Sequence, residues 1–282
     1  MQGRTKLNLN DIISKKGKEK VSVITAYEYS TAKICDSAGI DILLVGDSAG
    51  MVVLGYSSTV PVGMQEMIVF CGAVSRGTKR AMIVGDMPFG SYQVSPSKAV
   101  ENAILMVKSG CDAVKLEGGS QIVGTIRAII NAGIPVMGHI GLTPQTSSLW
   151  EGYKLQGRTK EGANELIEDA VLLEKAGVFS IVLEMVTSEI AHEITNSVSV
   201  PTIGIGSGPN CDGQVLVLHD MLGIYQEIRP KFVKRYAELY KDIFDAVSDY
   251  NREVKTGMFP GESNTSHMDA KEVDKWKNER RI

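Results

Sequence analysis

Apolar and polar positions follow one another in a repeated order along the chain: a helical stripe, a stop at Ala-Gly or Ser-Gly, then a short apolar run. The unit appears as Ser37-Ala38-Gly39 before Asp41–Gly46, and as Ser109-Gly110 before Ala113–Glu117. It recurs as Asn131-Ala132-Gly133 before Ile134–Gly138, and as Lys175-Ala176-Gly177 before Ser180–Glu184. Glycine adopts the left-handed conformation that ends a helix at little cost, so each copy marks a helix stop and a strand start. The helices between are equally legible. Ser95-Pro96 supply an N-cap and a first-turn proline, and Ala99, Val100, Ala103, Ile104 and Val107 then form one apolar stripe. Ala163, Leu166, Ile167, Ala170 and Val171 repeat the pattern.

The predicted strands are Val21–Ala26, Asp41–Gly46, Ala81–Gly85, Ala113–Glu117, Ile134–Gly138, Ser180–Glu184, Pro201–Gly206 and Leu216–His219. Eight strands alternating with helices over about 250 residues predict an α/β fold, the (β/α)8 TIM barrel. Continuous runs such as Ile42-Leu43-Leu44-Val45 suit parallel strands covered on both faces. An open doubly wound sheet is the alternative. Little room is left between Gly208 and Val215, so either the seventh helix is short or Leu216–His219 is itself helical. Beyond Pro230, Phe232, Val233, Tyr236, Leu239, Tyr240, Ile243, Phe244 and Val247 continue at helical spacing, which predicts a long closing helix to about Gly257 with a packed stripe. Residues 1–261 then form one catalytic barrel domain, and the polar stretch 262–282 is expected to be a flexible tail.

Composition narrows the function. The 282 residues include 30 Lys and Arg against 33 Asp and Glu, a net charge of −3 spread along the chain, so no basic field exists to hold nucleic acid. The first twenty residues lack a signal-peptide apolar core and no apolar run reaches spanning length, so a cytoplasmic protein with no membrane partner is expected. Cys35, Cys71, Cys111 and Cys211 have no paired spacing, which argues against a zinc site or disulfides.

In a barrel the chemistry lies at the C-terminal ends of the strands. The polar groups expected there are Asp47, Ser48, Asp86, Lys115, Glu117, His139, Glu184 and Ser207. Asp47, Asp86 and Glu117 come from consecutive strands, and hard oxygen ligands without paired His or Cys suit Mg²⁺. Helix capping is the bland alternative for each acid. Lys115 and Glu117 are two apart on a strand and face the same side, with Leu116 facing the helices. Lys115 reads as a charged clamp for a substrate carboxylate or enolate, since adjacent acids oppose the lowered pKa that an imine-forming lysine needs. Glu184 follows the apolar run Ile181-Val182-Leu183, where partial burial would tune it as a proton acceptor. His139 either donates to substrate or orders the acids. Gly204-Ile205-Gly206-Ser207-Gly208 is either an anion loop or a tight turn, because its glycine spacing matches no phosphate motif.

The ordered blocks of the chain resemble the ketopantoate hydroxymethyltransferase family. They are Thr25-Ala26-Tyr27, Gly46-Asp47-Ser48-Ala49-Gly50-Met51, Gly85-Asp86-Met87-Pro88-Phe89, Lys115-Leu116-Glu117-Gly118-Gly119, Gly138-His139-Ile140-Gly141-Leu142-Thr143-Pro144-Gln145, Gly152-Tyr153-Lys154-Leu155-Gln156-Gly157, Ile203-Gly204-Ile205-Gly206 and Pro230-Lys231-Phe232. The resemblance implies a barrel of the phosphoenolpyruvate/pyruvate type. It also implies Mg²⁺ contacts at Asp47 and Asp86 with Glu117 close behind, and oxo-acid contacts at Asp47, Ser48, Asp86 and Lys115. Glu184 is implied as the base, 5,10-methylenetetrahydrofolate as the one-carbon donor, 3-methyl-2-oxobutanoate as the acceptor, and a homodecamer built from pentamers as the assembly. Ala49, Tyr56, Glu151 and Ser207 depart from the family's common residues, and none is a proposed metal or base position. Barrels of the phosphoenolpyruvate mutase and isocitrate lyase kind are the nearest rival, but their Lys-Lys-Cys-Gly-His block is absent. A catalytically silent scaffold is the other.

Overall fold

The computed structural model describes residues 5–147, 154–227 and 229–280. Eight parallel strands close into a barrel in sequence order, so the (β/α)8 expectation holds and the open sheet does not. They are β1 (Val21–Thr25), β2 (Ile42–Val45), β3 (Met82–Asp86), β4 (Ala113–Glu117), β5 (Val136–Gly141), β6 (Ser180–Glu184), β7 (Thr202–Ile205) and β8 (Gly213–Leu216). Helices α1 (Leu9–Ile13), α2 (Tyr29–Ala38), α3 (Ala49–Val52), α4 (Met64–Gly77), α5 (Pro96–Lys108) and α6 (Val123–Asn131) precede β5 or come between the strands before it. The later ones are α7 (Pro144–Ser147), α8 (Lys160–Ala176), α9 (Ser188–Ser197), α10 (Leu218–Met221), α11 (Leu239–Thr256) and α12 (Ala270–Glu279).

Strand side chains divide by the period of two. Val23, Ile42, Leu44, Met82, Val84, Ala113, Met137, Val182, Ile203 and Val215 fill the barrel interior. Their neighbours Ile24, Leu43, Val45, Ile83, Val114, Leu116, Ile181 and Leu183 pack outward against the helices. Gly39 and Gly177 end α2 and α8 at φ 91° and 100°, the left-handed caps the sequence predicts. Ser95 caps α5 by accepting from Lys98 N–H. All four cysteines are free and buried. At the N-terminal end of the barrel, α1 drives the fully buried Ile12 into the interior cluster, with Leu7, Leu9 and Ile13 around it.

Three expectations are corrected. The eighth strand is Gly213–Leu216, paired with β7 and β1, and not Leu216–His219. No crossover helix separates β7 from β8, and Leu218–Met221 is helical. The Asp212 carboxylate makes the short connection possible. It accepts from Thr202 N–H at 3.0 Å and from the Lys16 ammonium at 2.7 Å, which ties the loop to β7 and to the segment after α1. The closing helix starts at Leu239 and not after Pro230, because Tyr236 N–H and Leu239 N–H donate to Met221 and Leu222 carbonyls and hold residues 231–238 against α10. Its stripe is not packed either. Tyr240, Ile243, Phe244, Val247 and Tyr250 are each at least half exposed, and α11 has no buried residue. In the stretch after 261 the chain forms α12, which is also without a buried residue. No helix among the described residues is long and apolar enough to cross a membrane.

Candidate active site

The register of adjacent strands determines which polar side chains meet. Asp86 pairs with Lys115, Glu117 with His139 and Gly141 with Glu184, so three neighbouring strand pairs end in chemistry-bearing groups. Asp86, Lys115, Glu117, His139 and Glu184, with Asp47 and Ser48, line a cavity of about 370 Å³ at the C-terminal mouth of the barrel. Thr25, Leu44, Val182, Ile205 and Val215 supply its apolar wall, and Asp220, Tyr225, Lys231 and Phe232 line it as well. Lys231 and Phe232 belong to the Pro230-Lys231-Phe232 block of the resemblance and to the stretch misread as helix, whereas the sequence does not point to Asp220 or Tyr225.

Lys115 is the hub. Its ammonium lies 3.0 Å from Asp86 Oδ1 and 3.9 Å from Glu117 Oε1, and it donates to His139 Nδ1 at 3.1 Å. Burial alone would lower the Lys115 pKa, but the charges of Asp86, Glu117 and Asp47 outweigh it and hold the pKa above its ordinary value. Burial and the Lys115 charge both lower the pKa of His139. A neutral ring that accepts at Nδ1 carries its proton on Nε2, 3.3 Å from Glu184 Oε2. That contact is out of line for a hydrogen bond, and Nε2 is a buried atom with no other partner. Both expectations for His139 therefore have a basis: Nδ1 orders Lys115, and Nε2–H is free to donate.

Asp47 N–H donates to Asp86 Oδ2 at 3.2 Å, which sets the two acids side by side. Gly46 leaves room for the Ser48 hydroxyl, since a Cβ there would stand 2.8 Å from Ser48 Oγ. Burial first, and then the Asp86 charge, push the Asp47 pKa up to about 7. Burial likewise raises Glu117 well above the usual carboxylate range. The Ser48 hydroxyl shares a 2.9 Å hydrogen bond with the Tyr27 hydroxyl.

Glu184 faces these groups and is the most open of the acids, its side chain 17% exposed against 4% for Asp86 and 3% for Glu117. The chain turns sharply after it. Met185 has φ 50°, the one positive value among described residues other than glycine, a strained conformation of the kind that collects at functional sites. Gly141, at φ 96°, lets β5 end against the Glu184 carbonyl, which a Cβ would meet at 2.3 Å. Ser207 does not line the cavity. Its hydroxyl accepts from Val186 N–H at 3.0 Å and donates to the Leu183 carbonyl at 2.8 Å, so it braces the Glu184 turn from behind. With Gly206 and Gly208 at φ 66° and 79°, the glycine segment is a tight turn. Gly152, Tyr153 and Glu151 lie outside the described residues.

Among the described residues no three His, Cys, Asp or Glu side chains are arranged to enclose a metal ion. Mg²⁺ does not require three, because it is commonly held by one or two carboxylates and completes its shell with water and substrate oxygens. Asp47 and Asp86 fit that pattern. Asp86 Oδ1 is buried with no aligned hydrogen-bond donor, and its nearest charge is Lys115.

A closed parallel barrel with acids, a lysine and a histidine converging at its strand ends defines the chain as a barrel enzyme. Phosphoenolpyruvate phosphomutase from Streptomyces platensis subsp. rosaceus has a similar fold, with TM-score 0.61 and 13% identity over 98% of this chain and 99% of that one. A phosphonopyruvate hydrolase complex with oxalate and Mg²⁺ is similar at TM-score 0.61 and 12% identity, covering 98% of this chain and 96% of that one. These likenesses show the fold alone. Residues 6–262 match the ketopantoate hydroxymethyltransferase family. The 3-methyl-2-oxobutanoate hydroxymethyltransferase of Nitrosopumilus maritimus is 58% identical over 95% of this chain and 96% of its own length. That of Staphylothermus marinus is 56% identical over 96% and 99%. The chain belongs to the ketopantoate hydroxymethyltransferase family and is a hydroxymethyl-transferring enzyme.

Proposed function

We propose that the enzyme transfers a hydroxymethyl group from 5,10-methylenetetrahydrofolate to C3 of 3-methyl-2-oxobutanoate, forming 2-dehydropantoate in pantothenate synthesis. The observation that carries this reading is the opposition of Glu184 to the Asp47, Asp86 and Lys115 group across one cavity. Asp47 and Asp86 would hold Mg²⁺, with Glu117 behind them, and the bound ion would supply Lewis-acid stabilisation of the charge that develops on the keto oxygen. Lys115, kept charged by three acids, holds the substrate carboxylate together with Ser48. Glu184 takes the C3 proton; water releases the one-carbon unit from the two folate nitrogens as formaldehyde, leaving tetrahydrofolate, and the enolate carbon attacks that carbonyl, whose oxygen picks up a proton to become the new hydroxyl. His139 Nε2–H stands beside the base and can donate to it or to the substrate. The apolar wall keeps water from the enolate.

Product formation from 3-methyl-2-oxobutanoate and methylenetetrahydrofolate, abolished by chelation and restored by Mg²⁺, is the expected result. Turnover undiminished after complete metal removal would overturn the metal reading. Lys115 should never form an imine, for the charge reason above. Borohydride added with the oxo acid should leave the protein mass unchanged, and an adduct on Lys115 would place the enzyme in the imine-forming class.

We also read the protein as a cytoplasmic homodecamer of two pentamers. The exposed stripe of α11 supports burial between chains, as does an open apolar groove lined by Ile34, Cys35, Ala38, Leu216, Leu218 and Met221.

A further inference from the structure

Gln145 has no titratable group, yet it touches more of the acid cluster than any other neutral side chain described above. It sits on α7, just beyond β5, and is 1% exposed. Its Nε2 donates to Asp47 Oδ2 at 2.9 Å and to the Met87 carbonyl at 2.9 Å. Its backbone N–H donates to Glu117 Oε2 at 3.1 Å, and its Oε1 accepts from the Tyr92 hydroxyl at 2.8 Å. Both amide hydrogens are used. Turning the amide over would set Oε1 against a carboxylate and a carbonyl, so the pattern admits one orientation.

The consequence concerns which carboxylate oxygens remain available. Gln145 occupies Asp47 Oδ2 and Glu117 Oε2, while Glu117 Oε1 faces Lys115 at 3.9 Å and His139 at 3.7 Å. The Gln145 side chain thus takes one oxygen of Asp47 and its backbone N–H one oxygen of Glu117, and Asp47 is left with Oδ1. We propose that Gln145 is a positioning residue that presents Asp47 Oδ1 to the divalent cation. The inference rests on the Mg²⁺ reading above. Groups that orient a metal's direct ligands typically govern affinity by about 10–100-fold.

The test is Mg²⁺ titration of the full-length protein by calorimetry without substrate. Gln145→Met keeps length and apolar bulk but loses every side-chain hydrogen bond, and should bind Mg²⁺ about 10–100-fold more weakly. Tyr92→Phe leaves the Gln145 donors in place but removes the hydroxyl that anchors Oε1 and that also meets the Glu117 backbone N–H and carbonyl, and should show a smaller loss in the same direction. Ser180→Ala is the control for general loosening, because Ser180 is fully buried at the start of β6 and donates to the Pro201 carbonyl. It should lower the melting temperature without moving the affinity. Wild-type affinity in Gln145→Met, or an equal loss in Ser180→Ala, overturns the inference. If Gln145→Met does not fold, unchanged affinity in Tyr92→Phe overturns it instead. A wild-type protein that takes up no Mg²⁺ would sink the cation reading and this inference together, whereas binding that is equal in all variants sinks this inference alone.

Discussion

Glu184→Gln should bind the oxo acid as the wild type does, yet exchange its C3 hydrogen with D₂O about 10²–10⁴-fold more slowly, the range typical of losing a general base. The substitution keeps the side chain's shape and one carbonyl oxygen while removing the basic one. Proton removal is separable from one-carbon transfer in this site, because Lys115 and the acids grip one side of the cavity and Glu184 acts from the other. Exchange therefore needs no folate, and NMR of the substrate alone measures it. Exchange at the wild-type rate in Glu184→Gln would exclude Glu184 as the base and turn attention to His139, 3.3 Å away.

Asp47→Asn and Asp86→Asn are expected to lose Mg²⁺-dependent oxo-acid binding, measured by calorimetry. Displacing an orienting group already costs about 10–100-fold in metal affinity, so removing a direct ligand should exceed that. Asn is preferable to Ala at position 86, because stripping the partner from the buried Lys115 charge would cost about 3–5 kcal/mol of stability. The wild-type affinity should also depend on pH. Asp47 has its pKa raised to about 7 without metal, so the carboxylate is protonated below that value and must lose its proton to bind the cation. Mg²⁺ affinity should accordingly fall as pH drops through about 7, and the fall should be smaller in Asp47→Asn. Full affinity in both variants would show that these acids are not the ligands.

Much of this site is legible from strand ends alone, because a barrel puts its chemistry there and because the period of two decides which residues face inward. Lys115 and Glu117 face the cavity and Leu116 the helices, as alternation requires. Gln145 escaped for the opposite reason: an amide carries no charge signal, and only the contacts of α7 reveal what it holds. β8 escaped because its inward positions are Gly213 and Val215, with the exposed Gln214 between them. The stronger apolar run Leu216-Val217-Leu218 drew the strand past its true end. The closing helix illustrates a limit of periodicity. Residues from Phe232 to Tyr236 keep a helical spacing, but their backbone is held by α10 carbonyls.

Ile12 fills the barrel interior at its N-terminal end, and among the described residues the cavity is lined where the strands finish. The acids lie within that cavity together with Tyr225, Lys231 and Phe232 from the segment beyond α10. On the proposed chemistry, two reactants of very different size must then share one doorway. A small oxo acid can pass first and be seated on the cation, whereas a folate standing in the mouth would bar it. The expected loading order is therefore acid before carrier, and excess folate should slow turnover.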